Sequence, residues 1–260
     1  MNSNHSLTTK KLNNAAVIGK GTVGEMTSIY YGIDDCYSKQ LTSYQLEKVA
    51  RKKFIFICLP TPTVDGKTDL KLIEDYIRDI SAFGFDPIFI IRSTVPVGTC
   101  SSLAEKYQVM VVSNPEFLTE ETALIDEMHP SFILWGIDDT RAAEEMFEII
   151  KDIKNKMIIT TTKTAEMVKY AINTFYALKV VYANVLYDLC HERSMNYEVL
   201  KEAIYNCKFG TKNHFDIFHK GYRGAGGKCL EKDLDSFTHQ MDHPFISLIN
   251  ELNRGFLSES

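Results

Sequence analysis

The sequence predicts an α/β fold, a doubly wound parallel sheet followed by an all-helical domain with one long helix. Three observations lead there. Between residues 15 and 160, short β-rich runs alternate with amphipathic segments of helical length. The stretch "AAVIGKGTVGEM" sets Gly19, Gly21 and Gly24 directly after the first of those runs. From Lys163 to Asn196 there is neither Gly nor Pro, and apolar residues recur at three- and four-residue spacing.

Taken in order, the strands are "AAVI" (15–18), "FIFICLP" (54–60), "IFIIRS" (88–93), "VMVVSN" (109–114), "FILWG" (132–136) and "MIITT" (157–161). Each is nearly continuously apolar, the pattern of strands buried on both faces of a parallel sheet. Segments 70–84, 98–107 and 139–153 have helical length and charge pattern. A compressed second strand falls at Asp35–Tyr37. The character changes after 161: one long helix over Lys163–Asn196, another over 197–206, then the glycine-rich "GYRGAGG", then helical pattern from 230 and from 244.

Bulk properties exclude several classes of function. The 260 residues are 45% hydrophobic and 24% charged, an ordinary globular composition. A net charge of -5 with no basic stripe argues against nucleic-acid binding. No apolar run approaches the roughly 20 residues of a membrane span. The leader "MNSNHSLTTKKLNN" lacks the apolar core of a signal peptide. Six cysteines form no CxxC pair and seven histidines are dispersed, so reduced thiols in a cytoplasmic setting and no metal site are expected.

The three glycines after the first strand permit a tight turn, close approach of a pyrophosphate, and close packing of helix on strand. The helix that follows offers the N–H groups of Thr22 and Val23 to the phosphates. An acid for the adenosine ribose is expected about 20 residues on. Here the second strand ends at Ser38, followed by Lys39, while Asp34 and Asp35 lie at its start. On the long helix Lys169 and Asn173 stand four apart, hence on one face. A surface ion pair of Lys169 with Glu166 is the plainer reading. The turns "RSTVPVG" (92–98) and "SNPEFLTEE" (113–121) follow two strands and would direct Thr94, Glu116 and Glu120 at the crevice where such sheets bind ligands. The plainer readings there are a proline-shaped turn and a helix start rich in acids. Last, "GYRGAGGKCLEKD" surrounds Cys229 with glycines and follows it with charges. It reads either as a mobile turn or as a nucleophile in a loop that lies against a ligand.

In combination these segments resemble the UDP-glucose/GDP-mannose dehydrogenase family. The matching stretches, in order, are "VIGKGTVG", "FICLPTPTVDGKTDL", "RSTVPVGT", "NPEFLTEETA", "TAEMVKYAINTFYALKVVYANVLYDLC" and "GYRGAGGKCLEKD". The resemblance implies a Rossmann-like dinucleotide-binding domain over 1–160, with 1–14 a polar leader, and a helical substrate and dimerisation domain over 161–260. It implies NAD-dependent, four-electron oxidation of a sugar-nucleotide CH2OH to carboxylate in two hydride transfers, with a homodimer as the assembly. Cys229 would form the thiohemiacetal and then the thioester. Lys169 and Asn173 would stabilise the oxyanion, Asp233 and Thr94 would hold the catalytic water, and Glu120 would assist thioester hydrolysis. Glu116, Gly226 and Gly227 would line the substrate. Gly19, Gly21, Thr22, Val23, Gly24, Ser38, Pro60, Thr61 and Thr94 would hold the cofactor.

The chain departs from the family at Lys228, Leu230 and Glu231, where the usual GGSCFPKD has Ser, Phe and Pro. The family's third domain, which grips the substrate's nucleotide, has no counterpart before residue 260. NADP is left open by Ser38 and Lys39. Two other readings stand beside this one: a 3-hydroxyacid dehydrogenase-type enzyme making a single hydride transfer, and a non-catalytic cofactor-binding partner of a complete enzyme.

Overall fold

In chain order the elements are β1 (Ala15–Ile18), α1 (Thr22–Tyr31), β2 (Cys36–Tyr37), α2 (Ser43–Ala50), β3 (Phe54–Ile57), β4 (Thr63–Val64), β5 (Lys67–Thr68), α3 (Lys71–Ser81), β6 (Ile88–Ile91) and α4 (Thr99–Tyr107). They continue with β7 (Met110–Ser113), α5 (Ala123–Met128), β8 (Ile133–Gly136), α6 (Thr140–Ile150), β9 (Met157–Thr160), α7 (Thr162–Glu192), α8 (Tyr197–Asn206), α9 (Leu230–Met241) and α10 (Pro244–Ser258). This computed structural model describes residues 11–119, 121–207, 213–219, 221–227 and 229–259. The chain divides into two units, Met1–Thr61 with Asp69–Lys169, and Pro62–Thr68 with Tyr170–Ser260.

The first unit holds a seven-stranded sheet in the order β2-β1-β3-β6-β7-β8-β9. Strands β1, β3, β6, β7 and β8 are buried at every position. Their continuous apolarity follows from cover on both faces. Val17, Phe56, Ile90 and Val112 pack with Tyr31 of α1 and Met146 of α6. The alternate residues Ile18, Ile57, Phe89 and Val111 pack with α2, α3 and α4 through Val49, Ile77 and Leu103.

Two features differ from a uniformly buried parallel sheet. The pairing of β7 with β8 is antiparallel, Ser113 facing Gly136, while the other pairs are parallel. The helix between them, α5, has only six residues and packs beside α1. Strand β9 is one edge of the sheet, and Ile158 and Ile159 are exposed there.

Helix α2 and the β4–β5 hairpin were not part of the sequence expectation. Each has a local cause. Thr42 and Gln45 form a reciprocal capping box that starts α2. Asp65 and Gly66, with φ of 50° and 75°, make the tight turn of the hairpin.

The second unit is helical. Helix α7 begins in the first unit and runs for 31 residues, about 46 Å at about 1.5 Å per residue. It stops at Glu192 rather than Asn196 because Ser194 takes a left-handed conformation and Asn196 caps α8. Ala177 and Val181 of α7 share a core with Leu234 of α9 and with Ile249 and Phe256 of α10. A second cluster joins Ala183 and Cys190 to Tyr197, Phe215 and Ile217.

Candidate active site

In the first unit the strand order reverses between β1 and β3, the switch point at which doubly wound sheets bind ligands. The three glycines there have different constraints. A Cβ on Gly19, whose φ is +105°, would lie 2.2 Å from the Cys58 carbonyl oxygen. On Gly24 it would lie 1.8 Å from the Gly19 carbonyl oxygen, so these two serve the close packing of turn, strand and helix. On Gly21 it would meet nothing within 4 Å. Gly21 is the N-cap of α1, and no side chain caps that helix. The first-turn amides, Thr22 and Val23 among them, are left for a ligand with negative charge. The cradle therefore fits a dinucleotide's pyrophosphate.

A separable pair of substitutions follows. Gly21→Val should fold with near-native stability yet lose nicotinamide dinucleotide binding. Gly19→Ala and Gly24→Ala should each cost more than about 1 kcal/mol of stability. Calorimetric titration with the dinucleotide and thermal melts of the three variants check both halves, and tight binding to Gly21→Val would remove the pyrophosphate from this turn.

At the ribose end, Asp34 and Asp35 precede β2, and neither stands at its end. Asp34 pairs with Lys11. Asp35 accepts from Tyr37 at 2.9 Å and binds Lys48 and Lys52 at 2.5 and 2.6 Å. Burial pushes the Asp35 carboxyl up, but these hydrogen bonds outweigh it and hold its pKa at about 2. Ser38 is exposed and donates to the Gln40 carbonyl at 3.1 Å. Across the switch point, Thr61 donates to the Thr94 carbonyl at 2.7 Å and Ser93 to that of Leu59 at 2.7 Å, which fixes the ends of β3 and β6 together. Pro60 beside them is exposed.

Lys169 does not pair with Glu166. Its Nζ donates to the Glu116 carbonyl at 2.7 Å and the Glu116 carboxylate at 3.0 Å, 5.4 Å from the Phe117 ring centre. An ammonium has three hydrogens, and these two bonds leave one for a ligand. Burial raises the Glu116 carboxyl, but the Lys169 charge, the Leu118 N–H and Arg92 outweigh it and keep it below its ordinary value. Glu166, buried, accepts instead from the Gly98 and Cys100 amides at 2.5 and 2.7 Å. It thus caps α4 from another helix, a long-range role that no local spacing shows. Glu120 lies outside the described residues, and Glu116 precedes α5 rather than opening it.

In the second unit the Asn173 amide donates to Asp233 at 2.6 Å, and Lys232 binds the other carboxylate oxygen at 2.5 Å. Asp233 is 1% exposed, one turn into α9. Cys229 is exposed at the N-cap of that helix, and its carbonyl accepts from the Asp233 amide at 3.0 Å. Lys228 lies outside the described residues. The loop glycines are bare for separate reasons. A Cβ on Gly226 would strike the Tyr222 ring at 2.5 Å, and one on Gly224 would press α10 at 3.2 Å. Gly227, with φ +82°, meets nothing nearer than 3.7 Å. Of the two candidate substrate residues in the loop, Gly227 is thus the one with room beside it.

Residues 33–154 match the model of the "UDP-glucose/GDP-mannose dehydrogenase family, NAD binding domain", and residues 163–254 that of the same family's central domain. The first match begins after the glycine turn. UDP-glucose 6-dehydrogenase of Rhizobium meliloti is 32% identical over 81% of this chain and 52% of its own length. The protein of that activity from Bacillus subtilis, YwqF, is 31% identical over 78% of this chain and 48% of its own. The chain thus spans about half the length of the curated relatives it matches. In three dimensions it is similar to a UDP-glucose dehydrogenase from Pyrobaculum islandicum, with TM-score 0.81 and 24% identity over 97% of this chain and 69% of that one. It is also similar in fold to 3-hydroxyisobutyrate dehydrogenase of Mycobacterium tuberculosis, with TM-score 0.64 and 13% identity over 94% of each chain. Two models of one family, end to end over most of the sequence, decide the matter: the chain belongs to the UDP-glucose/GDP-mannose dehydrogenase family.

Proposed function

We propose that this chain is a nucleotide-sugar 6-dehydrogenase, oxidising a sugar-nucleotide CH2OH to a carboxylate through a thioester on Cys229. The observation that carries it is the first turn of α9, which sets an exposed thiol at its N-cap and a buried carboxylate four residues on, hydrogen-bonded to Asn173. The thiolate is the reactive form, and a helix N-terminus favours it. Its sulfur adds to the aldehyde carbon as a thiohemiacetal, loss of a hydride from that carbon to the oxidised nicotinamide that the cofactor site would hold leaves the thioester, and water then displaces the sulfur as the acid is released. Asp233, held by Asn173 and Lys232, orients that water with Thr94. Lys169 and Asn173 donate to the oxyanion, and Glu120 assists hydrolysis. Glu116, Gly226 and Gly227 line the substrate.

Gly19–Gly24, with Ser38, Pro60, Thr61 and Thr94, would hold NAD, which when bound would supply the oxidising equivalents. The division at 160/161 separates the cofactor domain from the helical substrate and dimerisation domain, and the setting is cytoplasmic. Among the described residues no helix is long and apolar enough to cross a membrane. Turnover with a panel of UDP- and GDP-sugars tests the reading: two NADH per carboxylate are expected. One NADH per substrate would favour the 3-hydroxyacid dehydrogenase-type reaction, and none, with the cofactor still bound, the non-catalytic partner.

The assembly is a homodimer through the helical unit. Val181 is consumed by the unit's own core, and Val180, Val185 and Leu186 are half-buried. Phe175 and Tyr182 of α7 remain 56% and 53% exposed, and Phe245 and Leu248 of α10 are each 52% exposed. Analytical ultracentrifugation at micromolar concentration should show the dimer, and a stable monomer there would refute it.

A further inference from the structure

We infer that Asn253 of α10 is the positioning residue of the cysteine loop. The inference rests on the reading of Cys229 as nucleophile. Ala225, in the middle of the loop, is 2% exposed, so both polar groups of its backbone need partners inside the protein. One side chain supplies both. The Ala225 amide donates to Asn253 Oδ1 at 2.6 Å, and Asn253 Nδ2 donates to the Ala225 carbonyl at 3.0 Å. This is the pairing a neighbouring strand would give, provided by a residue itself 1% exposed.

The surroundings leave the loop little choice of position. Gly224 sits so close to α10 that a Cβ would touch Asn253, Leu257 and Phe256 at 3.2–3.3 Å. Arg223, one residue earlier, binds Asn184 and Asp188 of α7 at 3.1 and 2.6 Å. The other end of the segment is set by α9, whose first turn holds the Cys229 carbonyl. Between the two anchors the chain turns through Gly227 at φ +82°. Only three residues lie between Ala225 and Cys229, so the clamp and the thiol are joined by a short tether. A nucleophile must be held to a fraction of an ångström against its target. Asn253, 1% exposed and bonded to the loop backbone, does so without touching substrate.

The test compares Asn253→Ala and Asn253→Asp with Asn250→Ala in the full chain. Asn250 is on the same helix and binds Asp235. Asn253→Asp keeps the acceptor for the Ala225 amide and loses the donor. Three measurements are made: hydrogen exchange at the Ala225 amide, iodoacetamide labelling of Cys229 relative to Cys207, and the kinetics of carboxylate formation, with kcat and the KM for the cofactor. For Asn253→Ala the expected results are exchange faster by tenfold or more and relative labelling altered at least threefold. Its kcat should fall about tenfold with cofactor affinity unchanged, and Asn253→Asp should lie between it and the parent. Asn250→Ala should match the parent in all three. Faster exchange with labelling and kcat both within twofold of the parent would overturn the inference and leave Asn253 a packing residue. If Asn253→Ala does not fold, Asn253→Asp decides by the same criteria. Were the chain to make no carboxylate, exchange and labelling would still judge the clamp, and the failure would belong to the proposed reaction.

Discussion

Cys229→Ser is expected to abolish carboxylate formation, by on the order of a thousandfold or more, while leaving dinucleotide affinity unchanged. Serine is close in size to cysteine, and the position is exposed, so folding should not be disturbed. The hydroxyl is a far weaker nucleophile at neutral pH because it stays protonated. The other thiols divide by environment. Cys100 and Cys190 are buried, and burial pushes the thiols of Cys36 and Cys58 up, that of Cys58 to about 12. Only Cys207 shares the exposure of Cys229. Iodoacetamide should therefore modify these two before the rest, and Cys229 faster than Cys207, with a bound sugar nucleotide protecting Cys229 alone. A serine variant that still makes carboxylate at the parent rate would refute the assignment.

The sheet was legible from sequence because burial on both faces writes itself as unbroken apolarity. Phe54–Ile57 and Ile88–Ile91 need no alternation to be recognised. Strand β9 has the same signature, yet Ile158 and Ile159 are exposed, since apolar composition does not say which strand will be the edge. Helix α2 and the β4–β5 hairpin were missed although Thr42–Gln45 and Asp65–Gly66 are readable local signals. The candidate site divides in the same way. Gly19, Gly21 and Gly24, and the one-turn spacing of Lys169 and Asn173, lie in short windows of sequence. The partners of Lys169, Glu166 and Ala225 are 53, 68 or 66, and 28 residues away, and only the fold selects among such pairings.

The second large effect is expected at a buried ion pair that no motif announces. Arg92, at the end of β6, binds Glu127 of α5 at 2.9 Å and the Asn114 side chain at 2.8 Å. Both charged side chains are under a tenth exposed. Burial dominates Glu127 and raises its carboxyl above the ordinary value even though Arg92 pulls it down. A carboxyl raised in the folded state contributes stability below its unfolded pKa of about 4.3 and loses that contribution as pH rises through the folded value. Burial thus works against the acid of this pair, as it commonly does in buried ion pairs. Removing one partner is different, since it strands the other charge. Glu127→Leu should cost about 3–5 kcal/mol at pH 7. The double variant Arg92→Leu/Glu127→Leu should recover at least half of that loss, because no buried charge is then left over. It should not recover the site. The Arg92 charge helps keep Glu116, the partner of Lys169, below its ordinary pKa. Urea unfolding of both variants, with kcat measured on the double, separates the two contributions. A double variant that recovers none of the Glu127→Leu loss would mean that the loss is not that of a stranded Arg92 charge, and a parent-like kcat in it would detach Arg92 from the chemistry of Glu116.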